Sequence, residues 1–329
     1  MNTAVPTVRR LPVVGPSGLG FGGASVGNLR RAIDDEQAYA AIQRAWSRGV
    51  RYFDTAPHYG LGLSERRLGC ALSDYPRSEF VLSTKVGRLL VPRSKPTPVD
   101  DDGFAVPGDL ERRWDFSITG VERSLRESRE LLGVDHVDIA FVHDPDQAWD
   151  GASREGLRSL ATLRAAGEVA AIGIGTNSTA GLVELINVGA LDVLMLAGRY
   201  TLLDHLAGLP VLEAAARQGV AVVIAGVFNS GLLATPRPVE GARFDYRVAS
   251  PDMVVKVHRI ADVCEAHGVD VPAVAIAFAR RHRAVASVVV GMRSARDVDD
   301  NADRFDTAVP NAVWGDLVSR ELIDERCAA

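Results

Sequence analysis

The sequence predicts an α/β protein built as a (β/α)8 TIM barrel, with a hairpin before the barrel and a long loop at its active-site end. Short runs of Val, Ile and Leu alternate with longer amphipathic segments along most of the 329 residues, a pattern typical of parallel strands joined by helices. These runs number eight, which is the number that closes such a barrel. We expect one domain over residues 1–329, since α/β barrels reach this size undivided.

The predicted elements follow a regular order. A hairpin at residues 8–14 precedes a glycine-rich first strand and loop at 18–27. The other strands are predicted at residues 51–53, 80–84, 137–142, 170–175, 191–196, 220–225 and 286–290. Helices are predicted at 34–48, from 64, at 117–132 and 153–165, from 179, at 211–218 and 251–267, and outside the barrel at 311–326.

The glycine-rich run contains Gly18, Gly20 and Gly23, which satisfy the G-x-G-x-x-G pattern of Rossmann dinucleotide-binding folds. That motif needs a clean strand before it and a helix directly after it. Pro16 interrupts the strand, and Gly27 would break the helix. We therefore assign these glycines to the first barrel strand and its loop, where backbone passes close to a cofactor.

Residues 88–114 form a long polar stretch with four prolines and three consecutive aspartates. Loops of this length without secondary structure are uncommon unless they are functional or disordered. We interpret the stretch as a lid or substrate loop over the strand ends. A mobile insertion without a function is the alternative.

The composition argues against several classes of protein. A net charge of −5 and a pI of about 5.8 leave no basic stripe for nucleic acid. Cys70, Cys264 and Cys327 form no CxxC pair, which indicates a reduced, cytoplasmic protein. No segment approaches the roughly 20 apolar residues of a membrane helix. The histidines show no HxH or HExxH spacing, so no metal site is predicted.

Ionisable residues stand at the ends of three successive predicted strands, where a barrel places its active site. Asp54 follows the second strand, Lys85 the third and His143 the fourth, and Tyr59 lies in the polar turn after Asp54. Each has an ordinary explanation by itself, since Asp commonly caps turns and Tyr commonly packs in cores. Their recurrence at strand ends favours a catalytic group.

The sequence resembles the aldo-keto reductase superfamily in five segments that occur in the expected order over most of the chain. These are FDTAPHYG, VLSTKVG, VDIAFVHDPD, AIGIGTNS and VVVGMRSARDVDDN. The resemblance implies that Asp54, Tyr59, Lys85 and His143 form the catalytic tetrad of that family. It also implies a small-molecule substrate.

The chemistry of the four groups is consistent with that role. A tyrosine titrates near pH 10, so proton exchange near neutrality requires its pKa to be lowered by about two to three units. The Lys85 ammonium, held by Asp54, is expected to lower the pKa of Tyr59 and make it the general acid–base residue. A neutral His143 would orient the reacting oxygen. Since neither group moves a hydride, a nicotinamide cofactor is expected.

The resemblance places the cofactor along loops from several strands. Asn177 is expected at the carboxamide, residues 228–232 at the pyrophosphate and residues 291–301 at the adenosine half. The residues expected to contact it are Gly23, Asp54, Asn177, Phe228, Ser230, Leu232, Gly291, Arg293, Asp297 and Asn301. Where relatives usually carry Gln and an aromatic ring, this chain has Ala197 and Ala225, so Phe228 is the candidate to furnish the nicotinamide pocket.

Asp297 stands four residues before Asn301, where phosphate-selective relatives tend to carry Arg. A carboxylate repels a 2′-phosphate and accepts hydrogen bonds from a free ribose diol. The sequence therefore predicts NAD as the cofactor. NADP is possible, because Arg293 and Arg296 are close enough to compensate.

The motifs GRYTLLD, FNSGLLA and GMRSARDV look most like the branch of the family that includes L-fucose, D-threo-aldose and pyridoxal 4-dehydrogenases. These enzymes oxidise a lactol, a cyclic hemiacetal, to a lactone. Overall resemblance ranks pyridoxal first as substrate, with L-fucose, D-threo-aldoses or galactose as the alternative. A non-catalytic regulatory β subunit would need an interaction arm or an exposed apolar face, and neither is evident. The oligomeric state is left open.

Overall fold

The computed structural model describes residues 18–149 and 151–327, so the hairpin predicted at 8–14 lies outside the described residues. Within them, eight parallel strands close into a barrel in chain order, β8 pairing with β1. The strands are β1 Leu19–Gly22, β2 Tyr52–Asp54, β3 Val81–Val86, β4 Val137–His143, β5 Val169–Thr176, β6 Val193–Ala197, β7 Ala221–Ala225 and β8 Val285–Gly291. The predicted (β/α)8 barrel is confirmed.

Helices surround the barrel. They are α1 Asp35–Ser47, α2 Leu63–Leu72, α3 Ile118–Leu132, α4 Ala152–Ala165, α5 Leu182–Asn187, α6 Leu209–Gln218, α7 Pro251–Ala266, α8 Val271–Ala279, α9 Ala295–Asp306 and α10 Asn311–Ser319. The sequence predictions missed α8 and α9. The segment α8 is apolar on nearly all sides, and a helix buried all round shows no amphipathic period. The C-terminal helix ends at Ser319 rather than at residue 326.

Two layers of apolar side chains hold the barrel together. One layer packs between the strands and the helices and includes Phe53, Leu82 and Ile172. The other fills the barrel interior and includes Tyr52 and Phe141. Because the interior is filled, open space for a ligand remains at the C-terminal mouth. We infer that the described residues form one domain around this shared core.

Helix α2 begins differently from the prediction. The sequence predicts a helix from Ser64, but the helix begins at Leu63, after a left-handed Gly62 without a side-chain cap. The Ser64 hydroxyl instead donates to the Gly23 carbonyl at 2.8 Å and lies 2.8 Å from the Thr55 hydroxyl. This hydroxyl therefore ties the start of α2 to the loops after β1 and β2.

Two glycines allow these loops to touch. Gly60 has a φ of +65°, and a Cβ added there would lie 2.2 Å from the Gly27 carbonyl oxygen. A Cβ on Gly27 would in turn lie 2.8 Å from the Tyr59 carbonyl oxygen. The glycine-rich run therefore serves close packing of protein backbone beside Tyr59, in addition to any approach to a cofactor.

Residues 88–114 are a β-hairpin and not an irregular loop. An antiparallel pair joins Arg88–Thr97 to Gly108–Trp114, with an irregularity between Pro92 and Thr97 that absorbs the prolines. Its tip crosses to the loop after β1, where Arg30 donates its backbone N–H to the Gly103 carbonyl at 2.8 Å. The segment lies over the strand ends, as predicted. It is ordered by the backbone hydrogen bonds between its two strands rather than being an irregular loop.

No helix within the described ranges is long and apolar enough to cross a lipid bilayer.

Candidate active site

The structure brings Asp54, Lys85, Tyr59 and His143 to one cavity of about 400 Å³ at the C-terminal mouth of the barrel. Asp54 is the last residue of β2, Lys85 the penultimate residue of β3 and His143 the last residue of β4. Parallel strands end at the same edge of a sheet, so their terminal side chains converge.

The Lys85 ammonium is fully engaged by neighbouring oxygens. Its Nζ lies 2.9 Å and 2.7 Å from the two carboxylate oxygens of Asp54 and 3.0 Å from the Thr55 carbonyl. The Ser83 hydroxyl donates to the same carboxylate at 2.7 Å. Lys85 and Asp54 are each 2% exposed. Burial opposes the charged form of Lys85, but Asp54 and Tyr59 together outweigh burial, and the pKa of Lys85 lies above its usual value.

Tyr59 packs against both of the other groups. The Lys85 Nζ lies 4.7 Å from the centre of the Tyr59 ring. The His143 ring stands perpendicular to that of Tyr59 at a centroid distance of 5.9 Å. The phenol, the ammonium and the imidazole are thus placed for proton transfer to or from one bound oxygen.

The expected lowering of the Tyr59 pKa is wrong for the protein alone. Burial raises the pKa of Tyr59 to about 12, although Lys85 acts in the opposite direction. The cost of removing a phenolate from water exceeds the stabilisation that the Lys85 ammonium gives it, because Asp54 already neutralises much of the Lys85 charge. A further positive charge in the cavity is needed to bring the phenol into the neutral range.

His143 is held as a neutral imidazole, as expected. Burial lowers the pKa of His143 well below its usual value, and the nearby Arg88 lowers it further. Its Nε2 lies 3.6 Å from a carboxylate oxygen of Asp144, and its Nδ1 has no hydrogen-bond partner among the described residues. A neutral ring can donate to a reacting oxygen without itself titrating near pH 7.

Several charged residues beside the tetrad were not predicted as site residues. Asp144 lies directly after β4 with a left-handed backbone, φ 38°, and pairs with Arg88 from the start of the hairpin. Strained backbone of this kind concentrates at functional sites. The guanidinium of Arg88 also lies 4.5 Å from the centre of the Trp114 ring. In the turn Asp144-Pro145-Asp146, Asp146 accepts a hydrogen bond from the Thr176 hydroxyl at 2.6 Å, which is a structural role.

Most of the residues expected to bind the cofactor line the cavity. They are Gly23, Asp54, Asn177, Phe228, Ser230, Gly291 and Arg293. Ala197 and Ala225 also line it, and Phe228 supplies an aromatic ring in the same wall. Three others do not line it. Leu232 is fully buried in the core, Asn301 is 5% exposed within α9, and Asp297 lies in the first turn of that helix.

The carboxylate of Asp297 already has a structural task. It accepts the backbone N–H of Arg293 at 3.0 Å, while the Ser294 hydroxyl accepts the backbone N–H of Asp297 at 3.1 Å. Ser294 is the N-cap of α9, and the Asp297 carboxylate reaches back past it to the preceding residue, so both side chains cap the start of the helix. Asp297, which the sequence analysis assigned to the cofactor, therefore has a structural role at the start of α9.

The cavity has features that fit a dinucleotide. Arg30 and Arg293 line this cavity, and Arg30 and Arg243 line the cavity that adjoins it. Burial lowers the pKa of Arg30, and the charges of Arg243 and Arg293 lower it further. None of the three has an ion-pair partner among the described residues. Such a positive cluster suits a pyrophosphate. Asn229, held at φ 45°, lines the same wall with a buried Oδ1 that has no partner in the described ranges, so it can accept an amide N–H.

Comparisons with known proteins agree with this geometry. The aldo/keto reductase family profile matches residues 18–320. The chain is 44% identical over 309 residues to a D-threo-aldose 1-dehydrogenase from a Pseudomonas species, covering 93% of this chain and 94% of that one. It is 36% identical over 323 residues to a pyridoxal 4-dehydrogenase from Microbacterium luteolum, with the same coverage of 93% and 94%.

A solved structure shares the fold. The glycerol dehydrogenase AKR11B4 from Gluconobacter oxydans superposes with a TM-score of 0.74 over 94% of each chain, at 22% sequence identity. At that identity the likeness bears on architecture alone. The family profile and the two sequence relatives carry the assignment further: this chain belongs to the aldo/keto reductase family and is a nicotinamide-dependent oxidoreductase that acts on a small molecule.

Proposed function

We propose that the enzyme oxidises a lactol to a lactone. The observation that carries this proposal is the buried Asp54–Lys85–Tyr59 chain facing His143 in one cavity. In the reaction, the anomeric C–H leaves as hydride and the O–H of the same carbon leaves as a proton, so that a carbonyl forms. Bound nicotinamide in its oxidised form supplies the hydride acceptor.

The protein's own groups handle the proton. As a phenolate, Tyr59 accepts the proton from the lactol hydroxyl, and its negative charge is stabilised by the adjacent Lys85 ammonium. His143, neutral and almost fully buried, donates a hydrogen bond that orients the same oxygen. Burial raises the pKa of Tyr59 to about 12 even beside Lys85, so a cation such as the oxidised nicotinamide ring would favour the phenolate.

An aldose in its cyclic form is the proposed substrate. The 44% identity to a D-threo-aldose 1-dehydrogenase supports it. So does the outer part of the site, a cavity of about 970 Å³ that opens beside Tyr59 and is lined by charged side chains such as Arg88, Asp102, Asp144 and Arg243. Charged and hydrogen-bonding walls suit a molecule that carries a hydroxyl on nearly every carbon.

Pyridoxal is the second candidate. Its internal hemiacetal presents the same C–H and O–H to the tetrad, and the 36% identity to a pyridoxal 4-dehydrogenase supports it. Phe104 and Tyr246 line the outer cavity and offer flat apolar surfaces to a pyridine ring. For the cofactor we propose NAD, because the Asp297 carboxylate, which accepts the Arg293 N–H, would repel a 2′-phosphate bound near Arg293. NADP is the alternative.

The test is reduction of the cofactor followed by absorbance at 340 nm, with NAD and NADP each offered against L-fucose, a D-threo-aldose, D-galactose and pyridoxal. We expect turnover with at least one aldose and NAD, and formation of the lactone in the product. A wild-type enzyme that binds NAD but oxidises none of these lactols would contradict the proposal.

A further inference from the structure

His58 lies between the catalytic tetrad and the hairpin of residues 88–114. Its ring centroid is 5.4 Å from that of His143 and 5.9 Å from that of Tyr59, and Phe104 of the hairpin packs edge-on against it at 5.2 Å. The side chain is half-buried and lines both the inner and the outer cavity. It is therefore next to the reacting groups but not among them.

The hairpin fixes the tautomer of His58. The Nε of Arg112 lies 2.7 Å from the His58 Nδ1, and a second guanidinium nitrogen donates to the His58 carbonyl at 2.9 Å. Because a guanidinium has donors only, Nδ1 must be the acceptor and the ring proton must sit on Nε2. Arg112 itself is clamped by Asp100, whose side chain is fully buried, and by Asp102 at 2.9 Å.

The Nε2–H of His58 is a permanent donor without an acceptor in the described part of the chain. Burial, followed by the charges of Arg88 and Arg112, lowers the pKa of His58 to about 2, so the neutral ring persists at any working pH. None of the described side chains or carbonyls accepts a hydrogen bond from Nε2. His143 differs, because no group of residues 18–149 or 151–327 binds its Nδ1 and fixes its tautomer.

We propose that the Nε2–H of His58 donates a hydrogen bond to a second hydroxyl of the lactol, one that is not oxidised, and so determines specificity for polyhydroxylated substrates. This inference rests on the proposed function. Tyr59 and His143 serve the reacting oxygen, and the His58 ring, adjacent to both, is placed for a neighbouring oxygen of the same sugar. Arg112 is a positioning residue that acts through His58.

The kinetic experiment compares two substrates. L-fucose carries the hydroxyls in question, whereas 2-hydroxytetrahydropyran is a cyclic hemiacetal that keeps only the reacting hydroxyl and the ring oxygen. His58→Phe removes the donor, and we expect the ratio of kcat/KM for L-fucose over the simple ring to fall about 10- to 100-fold. His58→Gln retains an N–H donor and should recover part of this ratio. His136→Phe, at an exposed histidine, is the control.

A spectroscopic measurement tests the tautomer by itself. In protein labelled with 15N-histidine, we expect the His58 Nδ1 to be unprotonated, and Arg112→Met to convert the ring to a mixture of tautomers. A protonated Nδ1 in the wild-type protein overturns the proposal. Equal losses on both substrates in His58→Phe also overturn it. If wild-type enzyme oxidises neither substrate, the proposed function fails, and the tautomer result still judges the Arg112–His58 contact.

Discussion

The ammonium of Lys85 lies 2.7 Å and 2.9 Å from the two carboxylate oxygens of Asp54, and each residue is 2% exposed. A buried pair of this kind gains little over apolar residues of the same size, yet removing one partner leaves the other charge without compensation. The pair therefore contributes to both stability and catalysis, and both must be measured in any variant of Asp54 or Lys85.

We expect Lys85→Met to destabilise the protein by about 3 to 5 kcal/mol, because it leaves the Asp54 carboxylate buried and unpaired. The double variant Asp54→Asn with Lys85→Met removes both charges and should regain much of that loss. Urea unfolding followed by circular dichroism measures these two variants and the single variant Asp54→Asn. If the double variant is as unstable as the two single variants combined, the two side chains do not form the coupled pair described above.

Tyr59→Phe deletes one hydroxyl and the proton transfer it performs. We expect turnover to fall by about 10²- to 10⁴-fold, with little change in the affinity for NAD or in the unfolding midpoint. Steady-state kinetics and a fluorescence titration with cofactor separate the two effects. A variant that retains turnover within a few-fold of wild type would exclude Tyr59 as the acid–base residue.

Lys85 should set the pH dependence of oxidation. The rate rises with pH as the phenol becomes phenolate, and the ammonium is the contact that lowers the pKa of Tyr59 against burial. In the charge-free double variant Asp54→Asn with Lys85→Met, we expect the rising limb of kcat/KM to move to higher pH. A limb that stays in place would leave Lys85 a purely structural role.

Glu65 should make stability depend on pH. It is fully buried, one carboxylate oxygen accepts from Thr84 at 2.7 Å and the other has no partner in the described residues, and burial raises the pKa of Glu65 to about 7. The folded protein thus holds a proton that the unfolded chain releases near pH 4.5. The contribution of Glu65 to stability is present below that pH and is lost as pH rises to about 7, by about 3 kcal/mol.

Glu65→Gln keeps the shape and removes the titration. We expect its free energy of unfolding to fall less between pH 5 and pH 7 than that of the wild type. The difference in stability in favour of Glu65→Gln should therefore be larger at pH 8 than at pH 5. Urea unfolding at a series of pH values provides the measurement. Parallel curves for the two proteins would place the titration elsewhere.

Asp297 can be tested for its two roles separately. Asp297→Asn removes the charge but keeps an oxygen that can accept the Arg293 N–H, whereas Asp297→Arg removes the cap as well. If charge selects against a 2′-phosphate, both variants raise the kcat/KM ratio of NADP over NAD. Only Asp297→Arg should also lose about 1 kcal/mol of stability. An unchanged ratio in both would direct attention to Arg293.

The periodicity of the sequence predicted the barrel because short Val, Ile and Leu runs and amphipathic helices are local signals. Helix α8 was missed since an all-apolar segment shows no helical period, and the hairpin of residues 88–114 was missed because its pairing joins residues far apart in the chain, such as Leu90 and Arg112. Local sequence patterns do not show which distant residues will pair in this way.

The sequence by itself determined the fold and the positions of Asp54, Tyr59, Lys85 and His143, because strand ends and turn residues are encoded locally. Only the tertiary structure decided the electrostatics of the site. Burial raises the pKa of Tyr59 to about 12 against the effect of Lys85, and desolvation depends on atoms contributed by many distant segments. The tautomer of His58 was decided in the same way, since its Nδ1 is bound by an arginine 54 positions further along the chain.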